Sequence, residues 1–290
     1  MRPFDYIRCA SVGEACAALG AHAPDAKVVA GGTDVLVELR HPGARWPATM
    51  IDISAITALR GITEADGMIR IGPLTTHTEI HQSALLRERA SLLADASRAV
   101  GSPQVRNRGT VGGNIMNAAT CADTVPALLA LGARLTLAST EGTREMAIAD
   151  FFDKPYHTHA RRDELLTAIT FPALARSARG AFLKLGRRNA LSIARISVAA
   201  VIGRDPSGVI TDARIVPGSA LPVWRRLDAV EATLIGQRPT AELLAAAGDA
   251  VSAAMIEATG RRWSTEYKEP VLAVMVRRAL TSCCADEVVS

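Results

Sequence analysis

Residues 26–39 read Ala26-Lys27-Val28-Val29-Ala30-Gly31-Gly32-Thr33-Asp34-Val35-Leu36-Val37-Glu38-Leu39. A short strand pattern, Ala26 to Ala30, runs into two glycines, and an apolar-periodic helical stretch, Val35 to Leu39, follows at once. Together they predict a small β-turn-α unit. Paired glycines after a strand admit positive φ and let backbone N–H groups converge with no Cβ in the way. Such a concavity beside a helix start suits phosphate oxygens, with Thr33 as a hydroxyl donor. A tight strand-to-helix turn that binds nothing fits the same residues. The Gly-Lys-Ser/Thr ending of a Walker A loop is missing, and the chain has no Gly-x-Gly-x-x-Gly. A P-loop NTPase and a Rossmann dehydrogenase are therefore disfavoured.

A second glycine-rich turn lies downstream, Gly109-Thr110-Val111-Gly112-Gly113-Asn114, inside a block running from Gly101 to Asn117. Thr110 and Asn114 are expected as side-chain donors. Asp123 stands where the next helix should begin. It reads equally as an N-cap and as an acceptor for a nucleotide hydroxyl. Two phosphate-cradling turns in one chain fit a pyrophosphate gripped from both sides. The ligand thus becomes a dinucleotide, which spacing alone does not name.

Outward from these turns the chain divides into three stretches. Residues 1–50 open with a helix, Ser11 to Leu19, where Ser11 and Glu14 form a capping box. Residues 51–175 carry strands at Thr49 to Ile53 and Met68 to Ile71, and two helical patterns between Thr78 and Val100. A helix from Asp123 to Leu131 and strands at Ala133 to Leu137 and Leu165 to Phe171 complete it. Residues 172–180 read as a linker. A third unit, 181–285, pairs Ile196 to Gly203 with Val209 to Val216 about a turn at Arg204 to Gly208. Helices follow at Arg226 to Gly236, Thr240 to Thr259 and Lys268 to Cys283. Strands and helices mix without a βαβ cadence, so the class is α+β.

Composition narrows the function. At 290 residues, 49% hydrophobic and 21% charged, the chain supports several small domains and is no disordered segment. No apolar run approaches the roughly 18 residues of a membrane span. The first residues hold no signal-peptide pattern, so a cytoplasmic location is expected. The 29 Arg and 4 Lys are interleaved with 29 acidic residues, and 11 aromatics are too few to stack bases. A nucleic-acid partner is therefore not expected. Cys9, Cys16, Cys121, Cys283 and Cys284 lack metal-site spacing. His77 with His81, and His157 with His159, are read as solvent-facing. Lys184, Arg187 and Arg188 form a basic cluster after a strand. It is either a solvated face or a set of charges favouring an anionic reduced flavin or a nucleotide phosphate.

The turns Ala30-Gly31-Gly32-Thr33-Asp34 and Thr110-Val111-Gly112-Gly113-Asn114, followed by the run from Ala122 to Ala133, resemble the FAD-binding subunits of molybdenum hydroxylases. Bacterial xanthine dehydrogenases and carbon monoxide dehydrogenases are among these. The resemblance extends from Phe4-Asp5-Tyr6 to Glu266-Tyr267-Lys268 and Arg277-Arg278-Ala279-Leu280. It implies a p-cresol methylhydroxylase-type FAD-binding fold of two α/β subdomains, 1–50 and 51–175, plus a C-terminal αβ domain, 181–285. It also implies contacts. Val28, Val29, Ala30, Gly31, Gly32, Thr33, Asp34 and Val35 wrap the pyrophosphate from one side, and Thr110, Val111, Gly112, Gly113 and Asn114 from the other. Asp123 meets the nucleotide, Leu166 lines the flavin, and Lys184 lies beside it.

The same resemblance implies a division of labour. A large subunit with molybdopterin oxidises the substrate, and a small subunit with [2Fe–2S] clusters relays electrons. FAD on this chain passes them to NAD or another acceptor, so no catalytic acid, base or metal ligand is expected here. Some features depart from relatives. Carbon monoxide enzymes read Ala-Gly-Gly-His-Ser where this chain has Thr33-Asp34, which leans toward the xanthine dehydrogenases. The inserted cysteine cluster of 4-hydroxybenzoyl-CoA reductases is missing. Val100 replaces an aromatic residue of the animal enzymes, and Asn189-Ala190-Leu191-Ser192 replaces an acidic stretch. A self-sufficient flavin oxidase and a non-redox nucleotide-binding assembly protein are the alternatives.

Overall fold

A computed structural model describes residues 4–188 and 191–285. Asn189 and Ala190 lie outside the described residues.

The N-terminal unit is a three-stranded parallel sheet built from β1 (Asp5–Arg8), α1 (Val12–His22), β2 (Ala26–Val29), α2 (Val35–Glu38) and β3 (Thr49–Asp52), in the order β1-β3-β2. Ser11 caps α1 by accepting Glu14 N–H, while the Glu14 carboxylate reaches back to Ala10 N at 2.8 Å. The predicted capping box is thus offset by one residue on its return bond. Because β3 runs through Asp52, the first sheet ends beyond residue 50. The glycine turn leaves the carboxyl end of β2, the edge at which parallel sheets present ligands.

The larger unit begins with β4 (Ile62–Ala65) and β5 (Met68–Ile71). Six helices follow: α3 (His77–Gln82), α4 (Ala84–Arg89), α5 (Ser91–Arg98), α6 (Pro103–Arg106), α7 (Val111–Asn117) and α8 (Thr124–Ala130). It continues with β6 (Arg134–Ser139), β7 (Gly142–Ala147), a short hairpin of β8 (Phe152–Lys154) and β9 (His157–Thr158), and β10 (Leu165–Pro172). The antiparallel sheet has the order β4-β5-β10-β6-β7. Where two helical patterns were expected between Thr78 and Val100, three helices form. Ser83 ends α3 and its hydroxyl caps α4, accepting from Leu86 N.

The C-terminal unit is an antiparallel sheet of β11 (Ala178–Leu185), β12 (Ile196–Arg204) and β13 (Ile210–Gly218) with α9 (Asp228–Leu234), α10 (Ala241–Thr259) and α11 (Thr265–Cys284). The expected linker shrinks to residues 173–177, because β11 forms only by pairing with β12 far along the chain. Strand alternation sends β12 into two cores. Ala199 and Val201, with Phe182 and Val216 across the ladder, join the core of the larger unit. Val198, Ala200 and Ile202 face a second core with α10 and α11. Trp224 adds to the shared seam, edge-on to Phe152 at 4.8 Å. The C-terminal sheet is therefore cemented to the larger unit. Among the described residues no helix is long and apolar enough to cross a membrane.

Candidate cofactor site

The first turn is open at its amides. Gly32 takes φ +74, and its carbonyl accepts Leu36 N–H while Asp34 O accepts Glu38 N–H. The N–H groups of Gly31, Gly32, Thr33 and Asp34 have no acceptor among the described residues. Gly31, Gly32 and Thr33 are half-buried and Asp34 is exposed, so four successive amides lie open on the turn, a pattern able to receive an anion. With α2 only one turn long, the amides themselves supply the field.

The second turn is built differently. Val111 N donates to Thr75 O at 3.0 Å, Gly112 N to Pro73 O at 2.9 Å and Asn114 N to Thr110 O at 3.0 Å. Gly113 N donates to Thr110 Oγ1 at 3.1 Å. These four amides are already taken. Thr110 acts as the N-cap of α7 and accepts, contrary to its expected role as a donor. Asn114 Oδ1 also accepts, from Thr124 Oγ1 at 2.7 Å, which leaves its amide nitrogen as the donor end. Gly112 is glycine for packing: a Cβ there would lie 2.5 Å from Pro73 Cβ. Gly113 is exposed, and a Cβ there would meet only Thr110 Oγ1, at 3.1 Å.

The two turns touch. A Cβ on Gly31 would stand 1.8 Å from Arg108 O, and one on Gly109 would stand 3.4 Å from Thr33 Oγ1. Residues about 80 apart in sequence therefore form one continuous surface. Thr76 and Thr110 form a further bridge that ties the second turn to α3.

Asp123 heads α8 but caps nothing with its side chain. Its Oδ2 receives Lys184 Nζ at 2.6 Å from β11, and the same ammonium donates to Ala99 O at 2.8 Å. Asp123 Oδ1 is buried with no partner among the described residues. Burial pushes this carboxyl up to about 6, against the pull of the lysine. Of the two readings of Asp123, the side-chain cap is not formed. Leu166 is buried on β10 in the core of the larger unit. Lys184 thus joins Asp123, whereas Arg187 and Arg188 stay exposed.

Several features escaped the sequence reading. His77 is not solvent-facing but 2% exposed; burial, then Arg106, lowers it to about 4. Thr76 and Glu79 form a capping box at the start of α3, a signal present in the sequence, yet nothing local showed that the opposite face would be covered. His81 Nδ1 is buried too. His157 lies on β9 and pairs with Asp153 at 3.2 Å. Arg106 Nη1 donates to Val100 O at 2.9 Å and Gly101 O at 3.3 Å, which pins the loop carrying Ala99. Cys283 is buried in the C-terminal core, and burial raises its thiol to about 12.

An open run of amides against a packed partner turn, with a buried carboxylate–lysine pair at the head of α8, suits a phosphate-bearing ligand. Residues 2–174 match the family model described as the FAD binding domain in molybdopterin dehydrogenase. Residues 181–283 match the CO dehydrogenase flavoprotein C-terminal domain. The carbon monoxide dehydrogenase medium chain of Hydrogenophaga pseudoflava is 33% identical, covering 97% of both chains. A putative xanthine dehydrogenase FAD-binding subunit of Escherichia coli is also 33% identical, over 97% of this chain and 96% of its own. The solved carbon monoxide dehydrogenase of H. pseudoflava superposes with a TM-score of 0.90 at 34% identity, covering 98% of each chain. This chain belongs to the FAD-binding medium subunits of the molybdenum hydroxylases.

Proposed function

We propose that the chain holds FAD across the two turns and serves as the exit for electrons from a molybdenum hydroxylase complex. Such a complex has a molybdopterin large subunit and a [2Fe–2S] small subunit as partners. The single observation that carries the reading is the run of four unpaired amides, Gly31 to Asp34, packed against the second turn. These amides bind the diphosphate, together with the Val28–Val35 segment around them. The Thr110–Asn114 turn closes the other side, with the bare Gly113 giving the ligand close approach and the Asn114 amide donating. Asp123 Oδ1 accepts a nucleotide hydroxyl, the donor it lacks in the protein. Lys184 keeps that carboxylate ionised and oriented, and Leu166 stands as apolar backing to the flavin.

FAD, when bound, supplies the redox chemistry, taking electrons delivered from the iron–sulfur clusters and handing them to NAD or another acceptor. This chain contributes binding, orientation and exclusion of water. The Thr33-Asp34 pair favours a xanthine dehydrogenase-like assembly. The test is to purify the native complex and measure flavin, molybdenum and iron. The expected result is FAD at one per chain, with both metals co-purifying and xanthine reducing NAD. A chain that takes up no FAD on reconstitution overturns the proposal. FAD uptake with neither metal nor partner subunit favours a free-standing oxidase instead.

A further inference from the structure

Behind the seam between the two turns stands a third element. Gly109 sits between them: a Cβ there would lie 3.0 Å from Val105 O, 3.3 Å from His77 Cδ2 and 3.4 Å from Thr33 Oγ1. His77 N also donates to Gly109 O at 3.1 Å. The ring is 2% exposed, and its Nδ1 has no partner among the described residues. A buried polar atom without a partner is costly, so its retention asks for a reason. A ring that leaves no free room for a Cβ on Gly109 sets how closely the two loops approach, since no strand ladder joins them.

We propose that His77 is a positioning residue of the diphosphate cradle, its uncharged imidazole backing Gly109 against Thr33 and so setting the gap between the turns. The inference rests on the flavin reading of that cradle. Arg106 on α6 is the charged group that faces the ring. On α3 itself, Glu79 is turned to Thr76 N at 2.7 Å. On α5, Asp95 and Arg98 are exposed and face each other at 4.0 Å. On α4, Arg87 reaches Gln82 O and Arg89 reaches Glu64. Glu88, also on α4, is exposed, and among the described residues no carboxylate is hydrogen-bonded or ion-paired to the ring. A proton on the ring would place a second positive charge beside Arg106 in a dry site, so the ring moves out and the seam opens. Consistent with this, the imidazole stays neutral down to about pH 4 while the seam is closed.

The experiment uses the full chain stripped of FAD and titrated with FAD by fluorescence quenching at pH 7.5 and pH 5.0. If the open state takes its proton near 6.5 and the closed state near 4, wild-type affinity falls by up to about 30-fold between those pH values. His77→Gln keeps a planar polar group that cannot charge there. It should bind within about threefold of wild type at pH 7.5 and lose most of the acid dependence. Gly109→Ala, which presses a methyl against both Val105 O and the ring and leaves His77 in place, should weaken binding about tenfold at pH 7.5. His77→Gln tracking wild type across pH, with unchanged circular dichroism and Tm, overturns the proposal. So does tighter binding at pH 5.0 in the wild type, which would mean the ring contacts phosphate as a cation. Unchanged affinity in Gly109→Ala overturns it even if His77→Gln does not fold. Wild-type protein that binds no FAD at pH 7.5 overturns the flavin reading and this inference together.

Discussion

Replacing Gly31 with alanine and, separately, Gly113 with alanine separates two reasons for a glycine in the same cradle. At Gly31 the new methyl carbon would lie 1.8 Å from Arg108 O and 2.6 Å from its carbonyl carbon. Both are backbone atoms, so no side chain can swing away. The turns must part by more than 1 Å to reach even the 3.0 Å limit of close contact. Forced overpacking of this kind costs about 1–3 kcal/mol, and the parting also spoils the alignment of the free amides. FAD affinity should therefore fall by about five- to 150-fold, with a lower Tm. At Gly113 the methyl meets only Thr110 Oγ1 at 3.1 Å, and the residue lies in α7. Alanine there gains up to about 1 kcal/mol of helix propensity. Stability should hold or rise, yet the methyl occupies the open side of the cradle, so affinity should still fall. Isothermal titration of the stripped chain with FAD, beside thermal unfolding of the same samples, reads both quantities. A Gly31→Ala protein with wild-type Tm and affinity would refute the contact between turns. A Gly113→Ala protein that binds FAD normally would refute the placement of ligand over Gly113.

Other consequences follow from the same geometry. Lys184→Met leaves the Asp123 carboxylate buried without its cation; removal of one member of a buried pair costs about 3–5 kcal/mol, readable by urea unfolding, and Asp123→Asn in the same chain should recover part of it. The Asp123 carboxyl, raised to about 6 from 3.8, gives stability that is present below about pH 4 and lost as pH rises through about 6. The wild type should therefore lose up to about 3 kcal/mol across that window through this group, and Asp123→Asn should not; equal pH slopes in the two proteins would sink this assignment. His77 acts with the opposite sign: held near 4 against 6.5, it contributes stability above about pH 6.5 that disappears as pH falls toward 4. Trp224→Ala removes the edge-on partner of Phe152 at the seam with the C-terminal sheet, at a cost of about 3–5 kcal/mol, so domain unfolding should become less cooperative in calorimetry.

What was legible in the sequence was mostly local. The Ala26–Val29 strand, the Gly31-Gly32 turn, the Thr240 to Thr259 helix and the β12–β13 hairpin all carry their instructions within about twenty residues. So does the Thr49 to Asp52 strand, a run of buried positions. Of the strands that were missed, β1 takes its form from a partner far along the chain, Asp5 pairing with Thr49, whereas β4, β7, β8 and β9 are arms of local hairpins whose mostly exposed residues give little apolar alternation to read. Propensity is a weak guide where pairing decides. The same distinction divides the site. Glycine pairs announced both turns. Nothing in either motif told that Gly31 abuts Arg108, that the amides of the second turn are consumed internally, or that His77 lies dry between them. Asp123 looked like a cap because it stood at a helix start; only Lys184, 61 residues away, made it something else.

The unequal use of amides explains why two glycine pairs are present when one cradle carries the charge. A loop with four free N–H groups must be held open by something other than its own hydrogen bonds, since unpaired amides will otherwise find acceptors. Here that support is the second turn, rigid because Pro73, Thr75 and Thr110 have already satisfied it. Its Arg108–Gly109 peptide presses against Gly31 and Thr33. Donors and rigidity are thus placed on different segments. Loosening the second turn should therefore weaken FAD binding while leaving all four free amides in place. Thr110→Val removes the acceptor for Gly113 N, at a cost of about 1 kcal/mol to the cap. It should lower FAD affinity roughly fivefold and raise hydrogen-exchange rates at Val111 to Asn114. Faster exchange there with unchanged FAD affinity would show that the first turn holds its shape alone.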